Sequence, residues 1–98
     1  MADNDGMATA YNLIRKITQW HHDRNLIEGA TDKDQLAKLI QEMGELSDNI
    51  CKGNDIRDDI GDMLVVMINI MESAIRVYQI SAAILFLKIV FTKVSPNK

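Results

Sequence analysis

Two copies of one short element constrain this chain more than anything else in it: Glu42-Met43-Gly44-Glu45 and Asp59-Ile60-Gly61-Asp62. Each is an acid, an apolar residue, a glycine and a second acid. Residues three apart lie one above the other on a helix, so each copy makes a forked pair of carboxylates on one helical face. Two such forks brought together repel unless a cation sits between them. Any fold for this chain must therefore hold two helices so that their acidic edges are either kept well apart or bridged.

Helical periodicity supplies those two helices and one more. From Met7 the apolar positions Met7, Ala10, Leu13, Ile14, Ile17 and Trp20 or His21 recur at three and four, which predicts a first amphipathic helix. Arg24 to Ala30 breaks the pattern, with Gly29 as the expected turn residue. Thr31 or Asp32 reads as the N-cap of a second helix, with Gln35 three after Asp32 as in a capping box. That helix runs to about Lys52, where Gly53 suits a left-handed stop. Asn54 or Asp55 then caps a third helix running to about Tyr78, since no proline occurs before Pro96.

Helical-wheel geometry at about 100° per residue gives the two later helices the same layout. On the second, Leu36, Leu39, Ile40, Met43, Leu46 and Ile50 form an apolar stripe, with Lys38, Glu42, Glu45, Asn49 and Lys52 beside it. On the third the apolar stripe is Ile60, Met63, Leu64, Met67, Ile68, Met71 and Ile75, and Asp59, Asp62, Val66, Asn69 and Ser73 lie beside it. Packing the two apolar stripes together in an antiparallel hairpin is expected to bring the acidic forks to one shared edge. Gly44 and Gly61 then either permit close helix approach or leave room for a ligand, which would justify the roughly 1 kcal/mol that an interior helical glycine costs relative to Ala.

Solvated helix faces usually alternate charge sign at i, i+4. Here like charges repeat at i, i+3 on both helices, which favours a divalent-cation site. Carboxylates without nearby Cys or His suit Mg²⁺, with Mn²⁺ as the alternative, better than Zn²⁺. His21 and His22 do not supply the Glu-x-x-His pairs of a di-iron bundle. Neither Asp3-Asn4-Asp5-Gly6 nor Asn54-Asp55 meets the twelve-residue EF-hand pattern.

Composition sets the remaining bounds. Ninety-eight residues fit one small domain with a modest core, so oligomerisation is expected. A net charge of −3 offers no general attraction to nucleic acid or anionic lipid. Cys51 is the single cysteine and can make no internal disulfide, which fits a reducing cytoplasm. Residues 1–6 are acidic and polar, lack a signal-peptide pattern and read as a disordered leader ahead of a single domain over 7–98. Segment 80–94 is apolar nearly all round, but Lys88 and Lys93 interrupt it, so it falls short of a membrane span. It reads as a further helix or an interface segment between subunits.

The run from Lys38 through Glu42, Gly44 and Glu45 to Leu46, then Lys52-Gly53, then Asp59-Ile60-Gly61-Asp62-Met63-Leu64-Val65-Val66, resembles the Glu-x-x-Glu … Glu-x-x-Asp signature of MazG-like, all-α nucleoside triphosphate pyrophosphohydrolases. The upstream segment Trp20-His21-His22-Asp23-Arg24-Asn25 resembles the short single-domain members found in phages and Gram-positive bacteria. The resemblance spans about Ile14 to Ile70. It implies an all-α, antiparallel bundle of about four helices, oligomeric as a homodimer or homotetramer. The implied activity is metal-dependent hydrolysis of a (deoxy)nucleoside triphosphate to the monophosphate and pyrophosphate.

Within that scheme Glu42, Glu45, Asp59 and Asp62 hold Mg²⁺, and Glu42 or Glu45 also acts as general base. Arg24, Lys38 and Lys52 are candidate phosphate contacts, Trp20 a stacking surface for the base, and Asn69 a contact to a sugar hydroxyl or a metal-bound water. The chain departs from the family pattern in three places. Gln41 replaces an additional Glu, and Asp59 stands where Glu is typical, with Asp58 adjacent as a substitute. The end of the chain also lacks a basic Arg-Lys-Gly segment. These departures leave a second reading, a helical interaction module with the bundle kept and catalysis weakened.

Overall fold

The computed structural model describes residues 2–85 and 92–93. They contain three long helices, α1 (Ala2–Asp23), α2 (Asp32–Lys52) and α3 (Arg57–Tyr78), and no strand. A further helical stretch opens at residues 82–85, where Ser81 Oγ accepts the Ile84 N–H at 3.2 Å. The protein is all-α, as expected. Most of the apolar segment expected over 80–94 lies outside the described residues. Among the described helices none is long and apolar enough to cross a membrane.

α3 is central, with α2 along one side and α1 along another. Both run antiparallel to it. Asn49 meets Asp59 near the turn, while Asp32 reaches Ser73 at the far end. On the other side Tyr11 borders the same groove as Ala82, His22 meets Glu72, and His21 meets Val65 two turns earlier on α3.

Local chemistry explains where each helix starts and stops. α1 begins at Ala2, so it takes in the segment that reads as a leader. After Asp23 the chain is turned by Asn25 in the left-handed region (φ 54°), not by Gly29. Asn tolerates that conformation better than most residues, and the turn is closed by Leu26 N–H donating to the His21 carbonyl at 2.9 Å. Gly29 serves close approach instead, because a Cβ there would collide with the Asn25 side chain and carbonyl.

α2 is capped by Thr31 in a reciprocal capping box. Its hydroxyl accepts the Asp34 N–H at 3.1 Å, and its own N–H donates to the Asp34 carboxylate at 3.3 Å. The partner is therefore Asp34 and not Gln35, since the cap falls one residue before Asp32. Gly53 ends the helix with φ 72°, as its position implies. α3 follows Ile56, which has no side-chain cap, so neither Asn54 nor Asp55 occupies the N-cap. Asp55 works one residue earlier, accepting the Arg57 N–H at 3.0 Å. The Arg57 guanidinium beside Asp55 holds that carboxyl below its usual range.

The chain covers only part of its apolar stripes. On α2 the partly buried residues are Gln35, Leu39, Glu42, Leu46 and Asn49, whereas Leu36, Ile40, Met43 and Ile50 are 49–59% exposed. On α3 the buried residues are Asp59, Val66, Ile68 and Asn69, whereas Ile60, Leu64 and Met67 are 44–54% exposed. α2 is thus turned so that the edge carrying Glu42 and Asn49 faces α3, and α1 occupies the opposite flank of α3. The strongest apolar stripe of each helix is left on one outer face. Buried apolar residues are few among those described: Ile27, Val66 and Ile68, matched by buried His21, Asp59 and Asn69.

Candidate metal centre

Antiparallel pairing across Gly53 places the middle of α2 opposite the first turns of α3. There Glu42, Glu45 and Asp62 each turn a carboxylate oxygen to one spot, the oxygens lying within 4.8 Å of one another. Glu45 and Asp62 are exposed and Glu42 is half-buried. Glu42 Oε2 is shut off from solvent and has no hydrogen-bond partner. A buried carboxylate oxygen without a partner is a costly arrangement that a cation would relieve. Burial is the first cause holding the Glu42 carboxyl above its usual value, followed by the charges of Glu45 and Asp62. Lys38, one turn earlier, acts in the opposite direction.

A carboxyl whose folded-state value is raised adds stability in its protonated form and loses it as pH rises through that value. Glu42→Gln, which mimics the protonated form, is therefore expected to raise the melting temperature in EDTA at neutral pH. The difference should shrink as pH is lowered through the Glu42 titration, and saturating Mg²⁺ should reverse the ranking. A calorimetric pH series with and without Mg²⁺ reads both effects.

The fourth expected ligand stands apart. Asp59 is 7% exposed and accepts a hydrogen bond from Asn49 Nδ2 at 3.0 Å. Asn49 Oδ1 in turn accepts from Asn54 Nδ2 at 3.0 Å, linking Asp59 to the α2–α3 turn. An Asp arm, one methylene shorter than Glu, is drawn inward to this amide and does not reach the outer edge. Asp58 is likewise outside the three-acid cluster, and borders an open recess with Asp55 and Arg57 by the turn. Asn49→Leu is expected to lower stability by about 1–3 kcal/mol, the usual cost of leaving a buried acceptor unpaired. Urea unfolding in metal-free buffer measures it.

The remaining sequence candidates divide. Lys38 is exposed beside Glu42 and bears on its titration. Lys52 is engaged by Asp48 at 2.8 Å, one helical turn away on the surface of α2. Trp20 is 43% exposed, and the Arg24 guanidinium sits over its ring at 4.2 Å from the centroid. Asn69 is only 2% exposed, and its Nδ2 donates to the Leu26 carbonyl at 2.9 Å and faces His21 Nδ1 at 3.2 Å. Its NH₂ group is committed inside the protein, between α1 and the turn that follows it. Gly44 and Gly61 serve no close helix approach, since an added Cβ at either meets nothing within 4 Å. Of their two expected uses, room beside the acids is the one the geometry permits.

Sequence reasoning found no acidic partner for the histidines. His22 Nε2 nevertheless pairs with Glu72, and His21 is buried against Val65 and Asn69. The partners stand more than forty positions away, where no local spacing could flag them. A groove of about 760 Å³ lies between α1 and α3, bordered by Tyr11, Arg15, His22, Glu72 and Ile75, and does not include the acidic cluster.

Comparison with known proteins fits this geometry. An uncharacterized 18.2 kDa protein from the rep-hol intergenic region of Haemophilus phage HP1 is 45% identical to the chain over 64 residues. That alignment covers 63% of this chain and 39% of the phage protein, so the chain spans less than half of its relative's length. No solved structure matches the chain. The model of the MazG nucleotide pyrophosphohydrolase domain matches residues 30–94, which takes in both acidic helices and leaves α1 outside. The match covers well over half of the sequence, and the chain belongs to the MazG nucleotide pyrophosphohydrolase domain family.

Proposed function

We propose that this protein hydrolyses a nucleoside or deoxynucleoside triphosphate to the monophosphate and pyrophosphate, using Mg²⁺, or Mn²⁺ in its place, held by Glu42, Glu45 and Asp62. The observation that carries the reading is the convergence of three carboxylates within 4.8 Å, one of them with an orphaned, buried oxygen. Three oxygen donors with no Cys or His among them fit a hard divalent cation. When bound, the cation neutralises phosphate charge and lowers the pKa of water.

The protein's own part is to orient the substrate and move one proton. Water attacks the α-phosphorus, the bond from that phosphorus to the bridging oxygen breaks, and pyrophosphate leaves with the electron pair. Glu42 or Glu45 accepts the proton of the attacking water, as a positioned carboxylate can when its environment raises its basicity. Lys38 and Arg24 meet the phosphates, where fixed cations stabilise developing charge, and Trp20 offers its exposed ring to the base. Asp59 works from behind, fixing Asn49 and the turn that keeps α2 and α3 in register.

The protein acts as a homodimer or homotetramer, and its working surface is the outer face of Leu36, Ile40, Met43, Ile50, Ile60, Leu64 and Met67. A free, exposed Cys51 suits a reducing, cytoplasmic setting. The test is pyrophosphate release from a panel of nucleotides with Mg²⁺ and again in EDTA. Turnover that needs the metal supports the reading. No turnover of any nucleotide, or turnover undiminished by EDTA, sinks it.

A further inference from the structure

His21 is the most deeply buried residue of α1 among those described, and each of its ring nitrogens is committed. Nε2 lies 3.0 Å from the Val65 carbonyl, which can only accept, so this nitrogen carries a hydrogen. The Leu26 carbonyl likewise can only accept, which obliges Asn69 to turn its NH₂ toward it, at 2.9 Å. That same NH₂ then faces His21 Nδ1 at 3.2 Å as a donor, so Nδ1 must be a bare acceptor. The network closes for a single state, the neutral imidazole with its hydrogen on Nε2. A second ring hydrogen would point at the Asn69 NH₂. Flipping that amide would turn its oxygen against the Leu26 carbonyl.

The ring also supports what lies outside it. Trp20 meets His21 edge to face with centroids 5.1 Å apart, and Arg24 lies over Trp20. The carbonyl that His21 grips belongs to the turn of α3 that follows Asp62. One buried ring thus links the exposed Trp20–Arg24 pair to the helix carrying one of the three clustered acids.

We propose that His21 is a positioning residue for the nucleotide. In its neutral form it ties the end of α1 that carries Trp20, with Arg24 over it, to α3 at Val65 and Asn69, and protonation of the ring releases that hold. This rests on the pyrophosphohydrolase reading for its substrate but not for its hydrogen-bond logic. The charged groups on the segments that meet the ring are Arg24 from the turn after α1, the His22–Glu72 pair between α1 and α3, and Asp62, one helical turn before Val65 on α3. Glu28, from the same turn, is engaged by Arg76.

Trp20 is the only tryptophan, so its fluorescence reports on this contact without a label. The experiment follows Trp20 emission of the full, nucleotide-free chain against pH, with helicity recorded by circular dichroism. The expected result is a one-proton step at constant helicity that is absent in His21→Gln, kept in Glu72→Gln, and moved to higher pH in Asn69→Asp, where a carboxylate welcomes the protonated ring. With nucleotide and Mg²⁺, His21→Gln should raise KM about tenfold, the scale of one well-placed hydrogen bond, and leave kcat nearly unchanged. No step in the wild-type chain, a step surviving His21→Gln, a step lost in Glu72→Gln, or an unchanged KM overturns the proposal. If His21→Gln fails to fold, Asn69→Asp decides, because a step that belongs to His21 must move in that variant and one that belongs to His22 must not. A wild-type step without turnover of any nucleotide faults the reading of the acidic site and leaves the proton-dependent hold standing.

Discussion

Glu45→Gln is expected to lower metal-dependent pyrophosphate release at least about 100-fold, since even outer-shell changes around metal sites cost 10–100-fold. Gln keeps the length and shape of the side chain and removes only the charge. Glu45 is exposed at the edge of the cluster, so the substitution leaves the fold intact while taking one of three carboxylates from the cation. Asp62→Asn should behave alike, because it removes the only clustered acid contributed by α3. Activity should not return with added Lys or Arg at neighbouring sites, because those charges bind phosphate and cannot replace the cation. Circular dichroism matching the wild type, together with steady-state assays at several Mg²⁺ concentrations, separates weakened metal binding from a lost catalytic group.

The second large effect concerns assembly. Leu64→Glu, or Ile40→Glu, is expected to convert the proposed oligomer to an 11.1 kDa monomer at micromolar concentration. Leu36, Ile40, Met43 and Ile50 on α2 and Ile60, Leu64 and Met67 on α3 are all 44–59% exposed and together leave a broad apolar face open. A standard interface buries about 800 Å² per partner. A face made of Leu, Ile and Met alone meets its own copy without unpaired charge, as a two-fold contact requires. On the helical wheel this face points away from Glu45 and Asp62, so a partner seated there leaves the acids open. A glutamate placed at its centre would have to be buried unpaired in the assembly, yet it stands in solvent in the single chain. Light scattering should therefore show the change of mass while helicity persists. A wild-type chain that is already a monomer would contradict this assignment of the interface.

Which parts of this were legible in the residues follows from what each depends on. The Gly53 stop, the end of α3 at Tyr78 and the antiparallel pairing depend on nearby residues and were readable. The convergence of Glu42, Glu45 and Asp62 followed from like charges at i, i+3 in two copies. Asp59 lies outside that cluster, since periodicity assigns a residue to a side of a helix and says nothing about a competing partner such as the Asn49 amide. The apolar stripes are covered within the chain only in part, at Leu39, Leu46 and Ile68. Period 3.6 marks a face that must be covered, and it does not say whether the same chain or another copy covers it. With few buried apolar side chains, a small chain of this kind spends its best apolar face outward. The His21–Asn69 and His22–Glu72 contacts join positions far apart in sequence and had no local signature.

The acidic edge of α2 and α3 can be tested without knowing which nucleotide the protein prefers. Mn²⁺ titrated into the nucleotide-free protein at neutral pH, with free ion followed by electron paramagnetic resonance, counts bound cations directly. The expected result is saturable binding in the wild type, sharply weakened in Glu42→Gln and Asp62→Asn and retained in the outer-face variant Leu64→Glu. Equal Mn²⁺ uptake by the wild type and both acid variants, or no saturable uptake at all, would contradict a cation site at Glu42, Glu45 and Asp62.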